Sequence, residues 1–192
     1  DSMALVYLLN EYVKSKKGVL TALIFDHKIR KESYNESKKI KDYLIKMNIK
    51  TKIIRANLVK VTKYNMSEAR NNRFKGLFNY CKKNAILHLF LGHHYDDNLE
   101  TFLIRKVSGS NLEGLGAMNF NFIRNKVQIL RPLLNFSKKQ ILKFNKHNKI
   151  KYITDPSNQN LKYTRVVIRN YLKNSNQINY IKKDFENIRY HI

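Results

Sequence analysis

The sequence predicts an α/β fold, a parallel sheet with helices on both faces followed by a small, mostly helical C-terminal extension. Two observations predict it. From Asp1 to Lys106, amphipathic segments with helical spacing alternate with short apolar runs rich in β-branched residues. The order helix, strand, helix, strand, helix, strand, helix is the pattern of parallel strands joined by crossover helices.

Asp1 and Ser2 can cap free amides, and a helix follows from Met3 to about Lys16, stopping before Gly18. Its apolar residues go nearly all round, as in a helix covered by other layers. Val19 to Phe25 is the first strand, ending in Asp26-His27. Glu32 to Met47 is a charged helix whose apolar face is Ile40, Tyr43, Leu44 and Met47; Thr51 to Arg55 is the second strand. Met66 to Lys83 has helical spacing, with Met66, Phe74, Leu77, Phe78 and Cys81 as its stripe. Ala85 to Leu91 is the third strand, and a helix continues to about Lys106. Three of the six glycines fall between Gly109 and Gly116, in a loop that needs close backbone approach or positive φ. Phe120 to Leu130 includes strand, Pro132 ends it, and Ser137 caps a helix to about Asn148. Asp155-Pro-Ser-Asn158 is a turn, and Leu161 to Leu172 is a basic helix. The main domain is read as residues 1–170, with 171–192 as a helical linker or the start of a C-terminal nucleic-acid-binding region.

The chain carries 38 Lys and Arg against 14 Asp and Glu, a formal net charge of +24. Such a surface repels itself unless an anion shares it, which points to a polyanionic partner such as nucleic acid. No apolar run approaches the roughly 20 residues of a spanning helix, so no membrane partner is expected. Cys81 is the only cysteine, which excludes a disulfide framework, a zinc ribbon and a Cys-x-x-Cys redox pair, and a reducing cytoplasm is the natural setting. Set in an apolar stripe, Cys81 reads as buried.

Against this basic background, three carboxylates and two histidines crowd into His93 to Glu100, within Leu91-Gly-His-His-Tyr-Asp-Asp-Asn-Leu-Glu-Thr101. On a helix starting near His94 or Tyr95, His93, Asp97, Glu100 and Ile104 share a face and Asp96 points elsewhere. That face suits a metal site, a general acid or base at His93, or a cradle for a cationic substrate; acids stabilising a helix N-terminus are the plain alternative. Ligands of parallel sheets bind outside the carboxyl ends of the strands, where Asp1-Ser2, Asp26-His27, the loop before Arg70 and His93 to Asp97 would gather. Arg70 falls near the middle of an apolar stripe, so its guanidinium must find an anion or snorkel along the core edge. Lys162, Arg165 and Arg169 share a helical face, either solvated or a row contacting phosphates.

Several stretches in order resemble one family, the bacterial tRNA(Ile)-lysidine synthetases of the N-type ATP pyrophosphatase superfamily. They are Asp1-Ser-Met-Ala-Leu5, Phe25-Asp-His-Lys-Ile-Arg30, Ala69-Arg-Asn-Asn-Arg-Phe74, Gly92-His-His-Tyr-Asp-Asp-Asn-Leu-Glu-Thr101, Gly109-Ser-Asn-Leu-Glu-Gly-Leu115, Leu130-Arg-Pro-Leu-Leu134 and Asp155-Pro-Ser-Asn158 with Arg165 and Arg169. The resemblance implies a Rossmann-like domain that uses ATP and Mg²⁺ to adenylate C2 of the wobble cytidine in tRNA(Ile) with a CAU anticodon. Free L-lysine then displaces AMP to give lysidine.

By the same resemblance, Asp1 and Ser2 end the pyrophosphate loop, with Asp1 a Mg²⁺ ligand and Ser2 a phosphate contact. Asp26, His27 and Gly92 belong to the nucleotide site. His93 and Asp97 lie near the reacting phosphate, Asp97 also serving as a metal ligand and pairing with Glu100 to bind lysine. Arg70 stabilises the developing oxyanion or the pyrophosphate, and Lys162, Arg165 and Arg169 contact tRNA or close the site. The chain is expected to start inside the loop, after Ser-Gly-Gly. The family's Asp-Asp-Gln-Ala-Glu-Thr is Asp-Asp-Asn-Leu-Glu-Thr here, so Asn98 offers an amide one methylene shorter. A tRNA thiolase of the same superfamily and a non-catalytic basic RNA-binding remnant are the alternative readings, and an oligomer is compatible with all of them.

Overall fold

In the computed structural model, which describes residues 1–28, 32–56, 66–153 and 164–191, the first two strands, β1 (Thr21–Asp26) and β2 (Lys50–Arg55), pair in parallel, with Thr21 opposite Lys50 and Asp26 opposite Arg55. Helices α1 (Ser2–Ser15) and α2 (Ser33–Lys46) precede and join them; α3 (Met66–Lys83) leads to β3 (His88–Phe90), α4 (Tyr95–Val107) and the short α5 (Leu112–Leu115). Then come β4 (Asn121–Arg124), β5 (Val127–Leu130), α6 (Lys138–His147), α7 (Thr164–Asn174) and α8 (Ile178–Tyr190). Arg30, Asp155 to Asn158 and Lys162 lie outside the described residues. The architecture is α/β with parallel pairing and C-terminal helices, as the sequence predicts.

The chain forms two compact units: one holds Asp1, Phe90–Phe122 and Leu130–Ile192, the other Ser2–Leu89 and Ile123–Ile129. In the second, successive strand residues face opposite ways and so meet different helices. Ala22 and Ile24 of β1 pack with Leu44 and Ile40 of α2 and with Met3 and Val6 of α1. Phe25 and Ile54 face the other way, onto α3 at Gly76, where an added Cβ would lie 2.8 Å from the Phe25 ring and 3.1 Å from Ile54. Gly76 thus sets how closely α3 approaches the strands. Cys81 is buried in this unit, and burial pushes its thiol pKa up. In the first unit, Leu99, Phe102 and Leu103 of α4 meet Ile181 and Phe185 of α8. Two polar contacts flank that core: Tyr95 Oη donates to Glu186 at 3.0 Å, and Lys106 pairs with Asp184.

The structure differs from the sequence expectations in three places. The third strand sits in a second sheet of order β3-β5-β4. It starts at His88 rather than Ala85, because Ala85 is in the left-handed region (φ 51°) closing α3. The run from Phe120 to Leu130 is a hairpin, turned by Asn125 and Lys126 at φ 52° and 61° as a two-residue type I′ connection requires.

Four helices end in one device. After α1, α2, α3 and α6, a residue at positive φ (Lys17, Asn48, Ala85, Lys149) lets the next amide reach back five residues, as in Gly18 N–H to Val13 O at 2.9 Å and Ile150 N–H to Asn145 O at 2.9 Å. The left-handed residue after α1 is Lys17, with Gly18 beyond it.

Asp26, at the end of β1, is buried with its charge compensated locally. Lys28 N–H and Ser33 Oγ donate to Oδ1 at 2.9 and 2.7 Å, and Arg55 Nε lies 3.4 Å from Oδ2. Burial alone would raise its pKa; the two hydrogen bonds and Arg55 outweigh that and lower it.

Gly76→Val is expected to lower stability by about 2 kcal/mol, overpacking against Phe25 and Ile54 outweighing any gain in helix propensity; denaturant titration reads the loss. For Asp26→Ala, a loss of about 1 to 3 kcal/mol is expected at pH 7. Because the folded pKa is depressed, this contribution is present above about pH 4 and disappears as pH falls through the folded pKa. Melting curves at pH 7 and pH 3 should therefore show wild type and variant converging in acid.

Candidate active site

Helix α4 begins on a histidine. His94 keeps an extended backbone (φ −127°, ψ 179°), its Nδ1 accepts from Asp97 N–H at 3.4 Å, and its own N–H donates to Asp97 Oδ2 at 3.1 Å. This reciprocal pair satisfies two amides at the helix start. With Nδ1 accepting, the proton of the neutral ring sits on Nε2. Nε2 lies 3.5 Å from Asp1 Oδ2 and 3.5 Å from Asp97 Oδ2, while Asp96 Oδ2 is 3.6 Å from Nδ1. Burial lowers the His94 pKa against the opposing pull of the Asp97 and Asp96 carboxylates, so the ring is neutral.

Lys138, the first residue of α6, closes the cluster from both its backbone and its side chain. Its N–H donates to Asp96 Oδ2 at 2.6 Å and its Nζ to Asp1 Oδ1 at 2.6 Å. Asp96 thereby adds a second cap to α6, whose N-cap is Ser137 in a capping box with Gln140, and burial lowers the Lys138 pKa. Asp1, Asp96 and Asp97 against one ammonium leave the cluster acidic.

Among the described residues no group of three or more His, Cys, Asp and Glu has an arrangement that would hold a metal ion by itself. The convergence of Asp1 and Asp97 on one imidazole edge gives two carboxylates, enough for Mg²⁺ when phosphate oxygens and water supply the remaining ligands. The donor set therefore fits a hard cation that arrives with a phosphate.

One turn further, Glu100 is buried and accepts from Arg169 Nε at 2.7 Å and Nη2 at 3.2 Å; Arg165 Nη1 is 3.5 Å away. These bonds raise the Arg169 pKa further. Arg165 also donates to Thr101 Oγ1 at 2.9 Å. In this structure the two arginines thus face the α4 carboxylate.

His93 takes a different partner: its Nδ1 accepts from Arg131 Nε at 3.2 Å, and Arg131 also donates to Asn119 O at 2.6 Å and stacks 4.7 Å over Phe122. Asn98, fully buried, accepts from Met118 N–H at 2.7 Å and donates to Met118 O at 3.3 Å, while Arg105 Nη1 reaches Gly114 O and Ala117 O at 2.6 and 2.8 Å. The glycine-rich loop is therefore tied to α4, with Gly109 at φ 68°.

The structure brings Asp1, Asp97 and the motif around His94 together, with Glu100, Arg165 and Arg169 on the next turn. Gly92 precedes this cluster in the same unit. Ser2, Asp26, His27 and Arg70 belong to the second unit, where His27 lies edge-on to Phe25 at 4.8 Å and exposed Arg70 lies 5.6 Å over Phe74. Sequence reasoning placed both histidines in the site stretch but gave the role to His93 and none to His94, and it missed Lys138, which has no local signal linking it to residues far away in sequence.

The PP-loop domain family matches residues 1–176. The chain is 40% identical over 177 residues to a tRNA(Ile)-lysidine synthase of Orientia tsutsugamushi, covering 90% of this chain and 39% of that protein. A Wolbachia pipientis tRNA(Ile)-lysidine synthase is 38% identical (91% and 41% covered), and one from Rickettsia typhi 33% identical (96% and 42%). The chain thus spans about two fifths of the length of these relatives. Among solved structures, a U34-tRNA thiolase NcsA from Methanococcus maripaludis with its [4Fe-4S] cluster shares the fold, with a TM-score of 0.76 at 21% identity over 99% of this chain and 69% of that one. With the match running from Asp1 to just past the end of α7, the chain belongs to the PP-loop domain family.

Proposed function

We propose that this chain is the ATP-using part of a tRNA(Ile)-lysidine synthase, which ligates free L-lysine to C2 of the wobble cytidine in a CAU-anticodon tRNA through an adenylated base, releasing pyrophosphate and AMP. The observation that carries this reading is identity of 31–40% with lysidine synthases across about nine tenths of the chain. Cys81 supports it against the thiolase alternative: the single cysteine is buried and its thiol pKa is raised, where sulfur transfer needs an accessible thiolate.

In this reading Asp1 and Asp97 would hold Mg²⁺, whose charge would offset that of the triphosphate and the pyrophosphate leaving group. Neutral His94 keeps both carboxylates oriented through its Nε2 edge and its bonds to Asp97. Lys138 meets the phosphates from the α6 side, as an ammonium already held at Asp1. Ser2 contacts phosphate; Asp26, His27 and Gly92 serve the nucleotide. His93, held by Arg131, borders the reacting phosphate, and Arg70 supplies positive charge to the oxyanion.

The lysine ammonium is taken by Asp97, with Glu100 supporting. Glu100 is shared with Arg169 and Arg165, so its charge is largely spoken for until those side chains turn to RNA. We read residues 1–170 as the catalytic portion and 171–192 as the start of the region leading to further tRNA contacts. Among the described residues no helix is long and apolar enough to cross a membrane. The proposed reaction belongs in the cytoplasm.

The full-length protein is expected to transfer labelled lysine to CAU-anticodon tRNA only with ATP present, releasing AMP; absence of both transfer and AMP release refutes the reading. A paired substitution separates chemistry from scaffold. Asp97→Asn is expected to cut lysine transfer at least 100-fold per folded molecule, with a stability loss of about 1 kcal/mol from its weakened bond to the His94 amide. Asp96→Asn, which weakens the cap of α6, should cost about 1 kcal/mol of stability while activity per folded molecule stays within tenfold. Equal activity losses would remove the reason for separating the two acids.

A further inference from the structure

Positive charge is spread over this chain so widely that a lysine by itself says little, and the informative question is where cations stand without acids. Of the described helices, α1, α2, α3, α4, α5 and α8 each contain at least one Asp or Glu, and only α6 and α7 contain none. The two acid-free helices use their cations differently. On α7, Arg165 and Arg169 turn to Glu100 and Thr101. On α6, Lys139, Lys143 and Lys146 are exposed, and none is in an ion pair with an acid of the described residues.

These three lysines form a ridge. At 3.6 residues per turn they fall within about 60° of arc, on a line about 10 Å long. The buried residues Ile141 and Asn145 occupy a different side of the helix, and exposed Lys149 continues the basic track past the C-terminal turn. Lysines repeated every three to four residues with no intervening acid repel one another, so the face stays open to an extended anion. A single small phosphate would engage one end of the row, whereas a sugar-phosphate backbone presents charges along its whole length.

The ridge also has an address. It starts at Lys139, the residue after Lys138, whose ammonium bonds Asp1 and whose amide bonds Asp96 in the candidate active site. A strand lying along α6 is thereby led to the acidic cluster at the N-terminus of α4.

We infer that the Lys139, Lys143 and Lys146 face of α6 is a docking surface for the phosphate backbone of the substrate RNA. It contacts phosphates without reading bases and sets the distance at which the RNA meets the active site. The inference rests on the proposed reading in taking RNA as the substrate.

The test compares two matched triple variants of the full-length protein, each removing three positive charges: Lys139→Gln/Lys143→Gln/Lys146→Gln on α6, and Lys39→Gln/Lys46→Gln/Lys82→Gln at exposed positions elsewhere. Binding of CAU-anticodon tRNA is followed by fluorescence anisotropy over a salt series. The α6 triple should weaken binding at least tenfold at 0.15 M salt and reduce the slope of log affinity against log salt by about 2 to 3; the control triple should weaken it less than threefold. A Lys→Arg triple on α6 should keep wild-type affinity, which separates lost charge from a damaged fold. Equal weakening by both glutamine triples overturns the α6 surface, as does displacement of the RNA by micromolar tripolyphosphate, which would mark a small-anion site. Lysine transfer measured on the same wild-type preparation keeps the two readings apart: no transfer with α6-dependent binding intact overturns the functional reading alone, and transfer with α6-independent binding overturns the surface alone.

Discussion

The bond pair between His94 and Asp97 at the start of α4 is the constraint from which the first unit is arranged. A helix must satisfy the amides of its first turn, and here the group that does so is an imidazole that also touches Asp1 and Asp96. Capping and site assembly are therefore one event. The positive end of the helix dipole favours the same carboxylates, and burial keeps the histidine neutral among them.

The other elements of this unit take their places from successive turns of α4. Asp96 fixes the start of α6, Glu100 gathers α7, Asn98 and Arg105 hold the glycine-rich loop, and Leu99, Phe102 and Leu103 supply the core under α8. Side chains on one helix thus serve as capping group, ion-pair partner, loop tether and apolar wall. Glu100 is the costliest of these placements, a buried carboxylate tolerable only because the Arg169 fork meets both of its oxygens. The high positive charge of the chain has an internal use here, since two arginines of α7 are turned inward to a carboxylate rather than outward to a partner.

Much of this was legible in the sequence because it is periodic or local. The alternation of helical and strand patterns specified α1 to α4 and the parallel pairing of β1 with β2, and the density of acids and histidines between His93 and Glu100 marked the candidate site. Illegible parts have physical reasons. Helical phase was extended back to His93, but α4 starts at Tyr95 and His94 is extended, so the angular rule stops short of the histidines and could not show that His94 is the one bonded to Asp97. Lys138 reaches Asp1 across 137 residues of chain, and Arg169 reaches Glu100 across 69, distances over which no periodicity carries information. The hairpin between Phe120 and Leu130 was hidden because Asn125-Lys126 lacks the glycine that usually announces a type I′ turn.

The helix ends carry a consequence of their own. With only six glycines in the chain, the left-handed position that closes α1, α2, α3 and α6 falls to Lys17, Asn48, Ala85 and Lys149, and a residue bearing a Cβ pays roughly 1 kcal/mol to sit there. Composition, rather than topology, thus sets a ceiling on how firmly these four helices are closed. Glycine at Lys17 or Ala85 would raise that ceiling without touching the acidic cluster or the lysine ridge, so the thermal margin of this fold can be adjusted independently of its chemistry.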